Sequence, residues 1–277
     1  MVESLSEENA QDAVKLYRTR FAGFLGDVDI LHYDEAAADL LTTQGVLLRS
    51  DVRQLKYHVA SPLIDGLIRM RVIPFLFRNA PVVLIPDVRT NVPDILFILM
   101  ESLKCFDKDI IQSGYYHSYK SSRVPVDGHC KTAVPRESVY DTELMRILTN
   151  WLRISGWSVT GQHHTITDDG RHKYSNIVLR KGDNEPIVLE LLATGEESFI
   201  KDHIDKTPTY MNTLSAVEGW VIHLTCEDNF IPVWQTSAQR KRGVNVVHVI
   251  HGKDFKNITF QMYTSYTHQP TMSQLCI

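Results

Sequence analysis

Residues 174 to 194 read YSNIVLRKGDNEPIVLELLAT. Two short apolar runs flank the turn-forming segment GDN at 182 to 184, which is typical of two antiparallel strands joined by a turn. Glu190 lies in the middle of the second run. Burying a carboxylate in an apolar strand costs free energy unless a partner neutralises it. The stretch therefore predicts a strand pair and a buried partner for Glu190.

Strand alternation predicts which side chains share a face with Glu190. Successive side chains of a strand point to opposite faces, so Glu190 shares its face with Val188 and Leu192. In the preceding strand, Asn176 and Val178 share a face for the same reason. Antiparallel pairing of the two strands is expected to bring Asn176 and Glu190 together.

The composition is that of an ordinary globular chain. Its 277 residues suffice for one large domain or two smaller ones, and 43% are hydrophobic. The net charge of −4 argues against a generally basic nucleic-acid coat, so contact with nucleic acid requires local basic patches or bridging metal ions. The four cysteines form no C-x-x-C pair, which disfavours a zinc ribbon and favours a reducing compartment.

The first half of the chain is expected to be mainly helical. Apolar residues recur at helical spacing in residues 8–24, 34–42, 61–72 and 92–106. Residues 112–135 are rich in Ser, Gly, Tyr and Pro and lack this spacing. We therefore predict a helical region over 1–125 and a second domain over 126–277.

The second half alternates between helical and strand patterns. Residues 137–155 predict an amphipathic helix ended by Gly156. A second helix is expected over 196–206, with a restart at Thr207-Pro208. Strands are expected over 157–168, 173–180, 186–193, 219–225, 243–250 and 257–263. The result is an α+β or α/β domain with the order α-β-β-β-α-β and additions at its C-terminal end.

This order resembles the restriction-endonuclease-like, or PD-(D/E)XK, fold over residues 137 to 225. In that fold an acid of the first helix, an acid of the middle strand and a glutamate of the third strand hold a divalent metal ion. The resemblance implies Mg²⁺ or Mn²⁺ as cofactor and DNA as substrate. Carried over by position, Glu143 matches the helix acid and Glu190 matches the third-strand acid.

Two positions depart from the family pattern. Asn176 stands where the metal-binding aspartate is expected, and its amide offers an oxygen but no charge. Leu192 stands where the lysine that activates water is expected, and it cannot orient or deprotonate a water. Lys201 or Lys206 of the following helix would have to replace that lysine. In an active site of this kind, the catalytic residues would be Glu190, His203, Lys201 and Lys206.

Further segments resemble the C-terminal nuclease-like region of Crinkler-type effector proteins. These segments are VPRESVYDTELMRIL, VLELLAT, EGWVIHLTCED and VVHVIHGKDF. In that family the region often follows an AAA-type ATPase, and residues 1–125 would then be a helical remnant of such a module. This chain has no G-x-x-x-x-G-K-[ST] sequence. The resemblance implies a role in a host nucleus or on nucleic acid.

Each of these residues also has a purely structural interpretation. Glu190 would then be a buried acid paired with His203 or Lys206. Glu143 would be a favourable negative charge in the first turns of a helix.

Two basic clusters are candidates for contact with phosphate. Arg171 and Lys173 follow a predicted Asp-Gly turn, and Arg240, Lys241 and Arg242 are adjacent in a predicted loop. Clusters of this kind contact nucleic-acid phosphates or remain solvated.

Three functions are compatible with these patterns. The preferred one is a degenerate nuclease-like domain that binds DNA or a protein partner. The alternatives are an active Mg²⁺- or Mn²⁺-dependent DNA endonuclease and a structural or regulatory module. The sequence shows no secretory signal and no membrane-spanning run, so we expect an intracellular protein of the nucleus or cytoplasm with no membrane partner.

Overall fold

The computed structural model describes the backbone of residues 1–51, 54–84, 87–89, 92–166 and 172–277. Side chains are described throughout except in the strand segments 87–89, 92–93, 162–166 and 172–176. The chain is a mixed α+β protein, as predicted, and its largest sheet has seven strands. Within the described ranges, no helix is both long enough and apolar enough to cross a membrane.

Helices predominate in the first half of the chain. The α-helices are α1 (Val2–Leu5), α2 (Gln11–Leu16), α3 (Glu35–Thr43), α4 (Pro62–Leu67), α5 (Ile73–Leu76), α6 (Ile95–Lys104) and α7 (Lys108–His117). Two π-helical turns, Tyr17–Phe21 and Ile68–Val72, continue α2 and α4. A small sheet contains β1 (Val28–Asp29), β2 (Leu47–Asp51) and β3 (Lys56–Val59), and a two-stranded ribbon contains β4 (Asp87–Arg89) and β5 (Val92–Pro93).

Capping residues explain where two of these helices begin. The Ser61 side chain accepts a hydrogen bond from the Ile64 amide at 3.3 Å, and Pro62 occupies the first helical position of α4. Asp94 caps α6 in the same way through the Phe97 amide at 2.9 Å. The prediction that irregular chain begins at residue 112 is wrong, because α7 continues to His117 and buries Ile111 and Tyr115.

The second half contains the elements that form the large sheet. They are α8 (Glu137–Leu152), β6 (Trp157–Ile166), β7 (His172–Lys181), β8 (Ile187–Ala193), α9 (Glu197–Leu214), β9 (Glu218–Thr225), α10 (Ser237–Lys241), β10 (Val244–His251), β11 (Asn257–Tyr263) and β12 (Thr271–Cys276). The first six follow the predicted order α-β-β-β-α-β. β12 was not predicted, because its sequence TMSQLC carries a weak apolar pattern.

The large sheet combines antiparallel and parallel pairs. Its strand order is β12-β11-β10-β9-β8-β7-β6. β6, β7 and β8 pair antiparallel, β8, β9 and β10 pair parallel, and β11 and β12 continue antiparallel. The carboxyl ends of three parallel strands therefore meet at one edge of the sheet.

Helix α9 runs unbroken through Pro208, so the predicted restart at Thr207 is wrong. Proline removes one backbone hydrogen bond from a helix interior. The hydroxyl of Thr207 donates a hydrogen bond to the His203 carbonyl at 2.8 Å, one turn earlier. Ile204, Thr207 and Met211 are buried, which holds both parts of the helix against the protein.

The large sheet has a hydrophobic core on each face. On one face, Leu189 and Leu191 join α8 in a cluster that also includes residues of α6 and α7. That cluster crosses residue 125, where the boundary between two domains was predicted. On the other face, Leu192 packs with Ile200 and Ile204 of α9. Alternation along β8 thus places Leu192 and its face neighbour Glu190 beneath α9, as predicted.

Buried charges join the first half of the chain to α8. The guanidinium of Arg69 forms an ion pair with Asp141 of α8 and a second one with Asp65 at 3.4 Å. The Tyr17 hydroxyl donates a hydrogen bond to Asp65 at 2.6 Å. Arg18 forms an ion pair with Glu143, which also lies in α8. These contacts leave α8 enclosed between the sheet and the N-terminal helices.

Candidate functional site

Glu190 is buried on β8 and bound by a histidine of α9. The exposed fraction of Glu190 is 2%. Its Oε1 lies 2.9 Å from Nδ1 of His203, and the His203 side chain is 17% exposed. The ring of Phe199, one turn earlier in α9, meets the His203 ring edge-on at a centroid distance of 4.7 Å. The predicted pairing of Glu190 with His203 is therefore present.

Leu192 fills the position at which the resemblance requires a lysine. It is fully buried and packs with Ile200, Ile204 and Val221 between the sheet and α9. An ammonium group in this environment would be costly, because few groups there can solvate or pair it. The strand therefore offers an apolar contact where a nuclease offers a charged group.

Glu143 is the centre of a buried ion-pair network. Its exposed fraction is 0%. One carboxylate oxygen accepts hydrogen bonds from Nε and Nη2 of Arg18, the former at 2.9 Å. The other oxygen accepts hydrogen bonds from Nη2 of Arg146 at 2.9 Å and from the Asp107 amide at 3.0 Å. Both oxygens of Glu143 are thus occupied by donors.

The pKa of Glu143 reflects this network. Burial on its own would raise the pKa of the carboxyl group. The positive charges of Arg18 and Arg146, together with the hydrogen bonds, outweigh burial and lower the pKa below 4.5. Glu143 is therefore an ionised acid neutralised by two arginines, which agrees with a structural role rather than with metal binding.

Several predicted positions lie outside the described residues. Arg171 lies outside them entirely, and the side chains of Lys173 and Asn176 are likewise not described. The described pairing of β7 with β8 includes Ile177 opposite Leu189. Asn176 therefore directly precedes the segment of β7 that pairs with β8, while the contacts of its amide remain a prediction.

The two lysines proposed to replace the missing one lie on the surface of α9. Lys201 forms an ion pair with Glu197 one turn earlier, and their side chains are 58% and 66% exposed. Lys206 is also exposed. Among the residues that the structure describes, no group of three His, Cys, Asp or Glu side chains is placed to hold a metal ion.

The charges of Glu190 and of Glu137, an acid that the sequence analysis did not single out, both act on Tyr210. Burial, together with the negative charges of Glu190 and Glu137, raises the pKa of Tyr210 to about 12. Glu137 is the first residue of α8. Its place beside a predicted helix start was visible in the sequence, but its effect on Tyr210 depends on how α8 and α9 are placed against the sheet.

A cavity of about 290 Å³ opens at the carboxyl end of β8. Lys120 and Arg123 supply positive charge, and Thr194 and Phe199 form other parts of its wall. Nζ of Lys120 lies 3.4 Å from the Ala193 carbonyl and 5.7 Å from the centre of the Phe199 ring. Arg123 is highly exposed and forms an ion pair with Glu196 at 3.2 Å. Glu196 also lines the cavity and neutralises Arg123, so Lys120 supplies positive charge suited to an anionic ligand.

Lys120 is held in a low-polarity environment. Its burial lowers the pKa of its ammonium group below 10.5, and the negative charge of Glu137 opposes this shift. Phe199 contacts both Lys120 and His203, so one aromatic side chain lies between the cavity and the Glu190–His203 pair. No sequence pattern pointed to Lys120, because it lies in a Ser- and Tyr-rich segment without helical or strand periodicity.

In the basic cluster at 240–242, the side chain of Arg240 makes contacts within the protein. Nη1 of Arg240 donates a hydrogen bond to the Thr267 carbonyl at 2.6 Å, and its guanidinium lies 4.7 Å from the centre of the Tyr263 ring. Lys241 and Arg242 are exposed. Arg240 and Lys241 belong to the short helix α10 rather than to the predicted loop.

Comparisons with known proteins give no family. No family model and no curated protein sequence matches the chain. Among solved structures, 44% of the chain aligns with 30% of a chain in the half-complex of Thermococcus gammatolerans McrB AAA+ hexamers with bound McrC, at 14% identity and a TM-score of 0.31. A second alignment covers 88% of the chain and 50% of Can2 from Sulfobacillus thermosulfidooxidans, solved with cyclic tetra-adenylate, at 9% identity and a TM-score of 0.26.

The chain thus spans half or less of either solved protein. Structural similarity at these scores supports no conclusion about fold or activity.

Proposed function

We propose that the chain is a degenerate restriction-endonuclease-like domain of the Crinkler effector type, which binds nucleic acid without cleaving it. The order of α8, β6, β7, β8, α9 and β9 supports this proposal, as does the parallel pairing of β8 with β9. The sequence resemblance over residues 137 to 225 supports the same assignment.

The observation that carries the proposal is the environment of Glu190 and Leu192. α9 covers both positions, binding Glu190 through His203 and burying Leu192 in an apolar cluster. Phosphodiester hydrolysis by this fold requires a hard cation held by carboxylates and a group that activates water. Glu143 does not fit the metal-binding role, because four N–H donors occupy its two oxygens. No catalytic step is therefore assigned to a metal ion.

Cationic side chains at the carboxyl edge of the sheet support nucleic acid as the ligand. Lys120 and Arg123 line the cavity beside β8. Ligands of open α/β sheets bind at the carboxyl ends of parallel strands, where cations and backbone amides donate hydrogen bonds to phosphate oxygens. This chemistry favours a phosphate-bearing ligand over an apolar surface of a protein.

A combined binding and cleavage assay tests this function. Labelled single-stranded and double-stranded DNA and RNA are incubated with the protein, with and without Mg²⁺ or Mn²⁺, and both mobility and strand integrity are measured. We expect a shifted band of intact nucleic acid. Glu190→Gln is expected to bind as the wild-type protein does.

Two results would each favour a different function. Cleavage that requires the metal ion and disappears in Glu190→Gln would favour the active endonuclease. Absence of both binding and cleavage would favour a structural or regulatory module that contacts a protein.

A further inference from the structure

A large open cleft lies where the N-terminal helices meet the C-terminal end of α8. Its volume is about 760 Å³, and its walls include Arg71, Arg78 and Arg153. All three arginines are exposed. Arg71 comes from the π-turn after α4, Arg78 follows α5, and Arg153 follows α8. The cleft thus collects three guanidinium groups from three separate segments.

Acidic side chains do not neutralise this charge. Among the described residues that line the cleft, none is Asp or Glu. In the described part of the chain, none of these three arginines forms an ion pair, whereas Arg18, Arg69 and Arg146 all do. The concentration of unneutralised cations contrasts with the net charge of −4 of the whole chain. A local positive potential of this kind attracts anions.

The cleft continues into a second cavity and is therefore extended. The neighbouring cavity has a volume of about 290 Å³, shares Arg71 and Arg153 with the cleft, and follows β6 from Trp157 to Thr160. An extended open groove suits a polymer better than a compact small molecule. The ring of Phe75 is 49% exposed in the cleft wall, with the Arg78 guanidinium 4.6 Å from its centre.

We propose that this arginine cleft binds the phosphodiester backbone of a nucleic acid. The inference rests on the proposed function for the identity of the ligand, but it assigns the contact to a surface that the nuclease-like site does not include. The charge of Glu137, at the start of α8, acts on Lys120, whereas Arg153 follows the end of that helix. The two basic surfaces therefore lie at opposite ends of α8. Guanidinium groups donate paired hydrogen bonds to phosphate oxygens, and exposed aromatic rings add stacking surface for bases.

The test measures affinity as a function of salt concentration. Fluorescence anisotropy reports the binding of a labelled single-stranded oligonucleotide and of the corresponding duplex. The wild-type protein is compared with the triple variant Arg71→Gln, Arg78→Gln, Arg153→Gln. The control is Lys15→Gln, Lys104→Gln, Lys256→Gln, which removes three exposed cations outside the cleft.

We expect the cleft variant to lose affinity and salt dependence together. Each phosphate contact contributes about 0.7 to the slope of log affinity against log salt for single strands and about 0.9 for duplex DNA. Loss of three contacts lowers the slope by about 2 to 3, which corresponds to about 100-fold or more at 0.1 M salt. The control variant is expected to change the slope by less than about 1.

Each other outcome has a defined meaning. Equal binding by the wild-type protein and the cleft variant would overturn the cleft while leaving the proposed function intact. An equal loss in the control variant would also overturn it, because the effect would then reflect total charge. No binding by the wild-type protein would overturn the proposed function and the cleft together. Single Arg→Gln variants, each expected to lower the slope by about 0.7 to 0.9, repeat the test if the triple variant unfolds.

Discussion

Two buried glutamates of the same domain have very different surroundings. Glu143 of α8 lies between the sheet and the N-terminal helices, where Arg18, Arg146 and a backbone amide bind its carboxylate. Glu190 of β8 lies on the opposite face of the sheet, where the imidazole of His203 binds it. Under the proposed function, both acids would correspond to positions that hold metal in restriction-endonuclease-like proteins.

The difference shows how one scaffold supports two kinds of acid. Two permanent cations make the carboxylate of Glu143 part of the interface between α8 and the N-terminal helices. Glu190 is bound by the imidazole of His203, which is itself partly exposed. We therefore expect changes at Glu143 to affect mainly stability, and changes at Glu190 to have a smaller effect.

Replacement of Glu143 should have the largest effect. Glu143→Gln removes the carboxylate that pairs with Arg146 and leaves Arg18 with only the partly exposed Asp107, at 3.1 Å. Breaking a buried ion pair in this way costs about 3–5 kcal/mol. Urea denaturation would measure the change in the free energy of unfolding. Glu35→Gln is the control, since this acid is 38% exposed and should contribute below about 1 kcal/mol. Equal losses in the two variants would contradict the proposed role of Glu143.

Replacement of Glu190 should have an intermediate effect. Glu190→Gln keeps an oxygen that accepts a hydrogen bond from His203 but removes the charge. Hydrogen bonds to charged groups contribute about 1.5–3 kcal/mol, so we expect a loss of about 1–2 kcal/mol in unfolding free energy. His203→Gln should give a similar loss if the pair is the main contribution. A loss as large as that of Glu143→Gln would remove the contrast between the two acids.

Acidification should destabilise the protein through buried neutral histidines. Burial lowers the pKa of His248 and His251 from 6.5 to about 4. Between these values the unfolded chain binds more protons than the folded one, so stability falls as pH decreases from 6.5 towards 4. Glu143 adds a further loss of stability below about pH 4.5. Its pKa in the folded protein is lowered, and protonation removes its attraction to Arg18 and Arg146.

His251→Gln isolates one part of this pH dependence. Nδ1 of His251 donates a hydrogen bond to the Gly252 carbonyl at 3.0 Å, so Nε2 accepts one from the Tyr140 hydroxyl at 2.9 Å. The variant should reduce the slope of unfolding free energy against pH by up to about 1.4 kcal/mol per pH unit between 4 and 6.5. An unchanged slope would show that His251 is not a buried neutral group.

Replacement of Lys201 should have the smallest effect. Its ion pair with Glu197 is largely exposed, and pairs of this kind contribute about 0–1 kcal/mol. Lys201→Gln should therefore leave stability nearly unchanged. Nucleic-acid binding and strand integrity should also remain as in the wild-type protein. Loss of a metal-dependent cleavage activity in this variant would instead favour the migrated-lysine endonuclease.

Local patterns predict most elements of the second half. The strand alternation around Glu190, the turn at 182 to 184 and the amphipathic helix at 137–155 all correspond to observed elements. The continuation of α9 through Pro208 escaped prediction, because burial of its sheet-facing side chains outweighs the local proline signal. β12 was not predicted because it has little apolar pattern of its own and is stabilised by pairing with β11.

The site was predictable where partners are close in the chain and not where they are distant. The pair of Glu190 with His203 follows from a strand and the next helix. The pairing of Glu143 with Arg18 links residues 125 positions apart, which no local pattern encodes. The arginine cleft has the same origin, because α8 ends beside segments from the N-terminal half.

We infer that Glu190 and Glu143 are structural acids rather than metal ligands. Electron paramagnetic resonance of Mn²⁺, titrated into the wild-type protein and into Glu190→Gln, measures metal binding directly. We expect the signal of free Mn²⁺ in both proteins at neutral pH. Loss of the free signal with the wild-type protein, restored in Glu190→Gln, would show a metal site at Glu190 and contradict this inference.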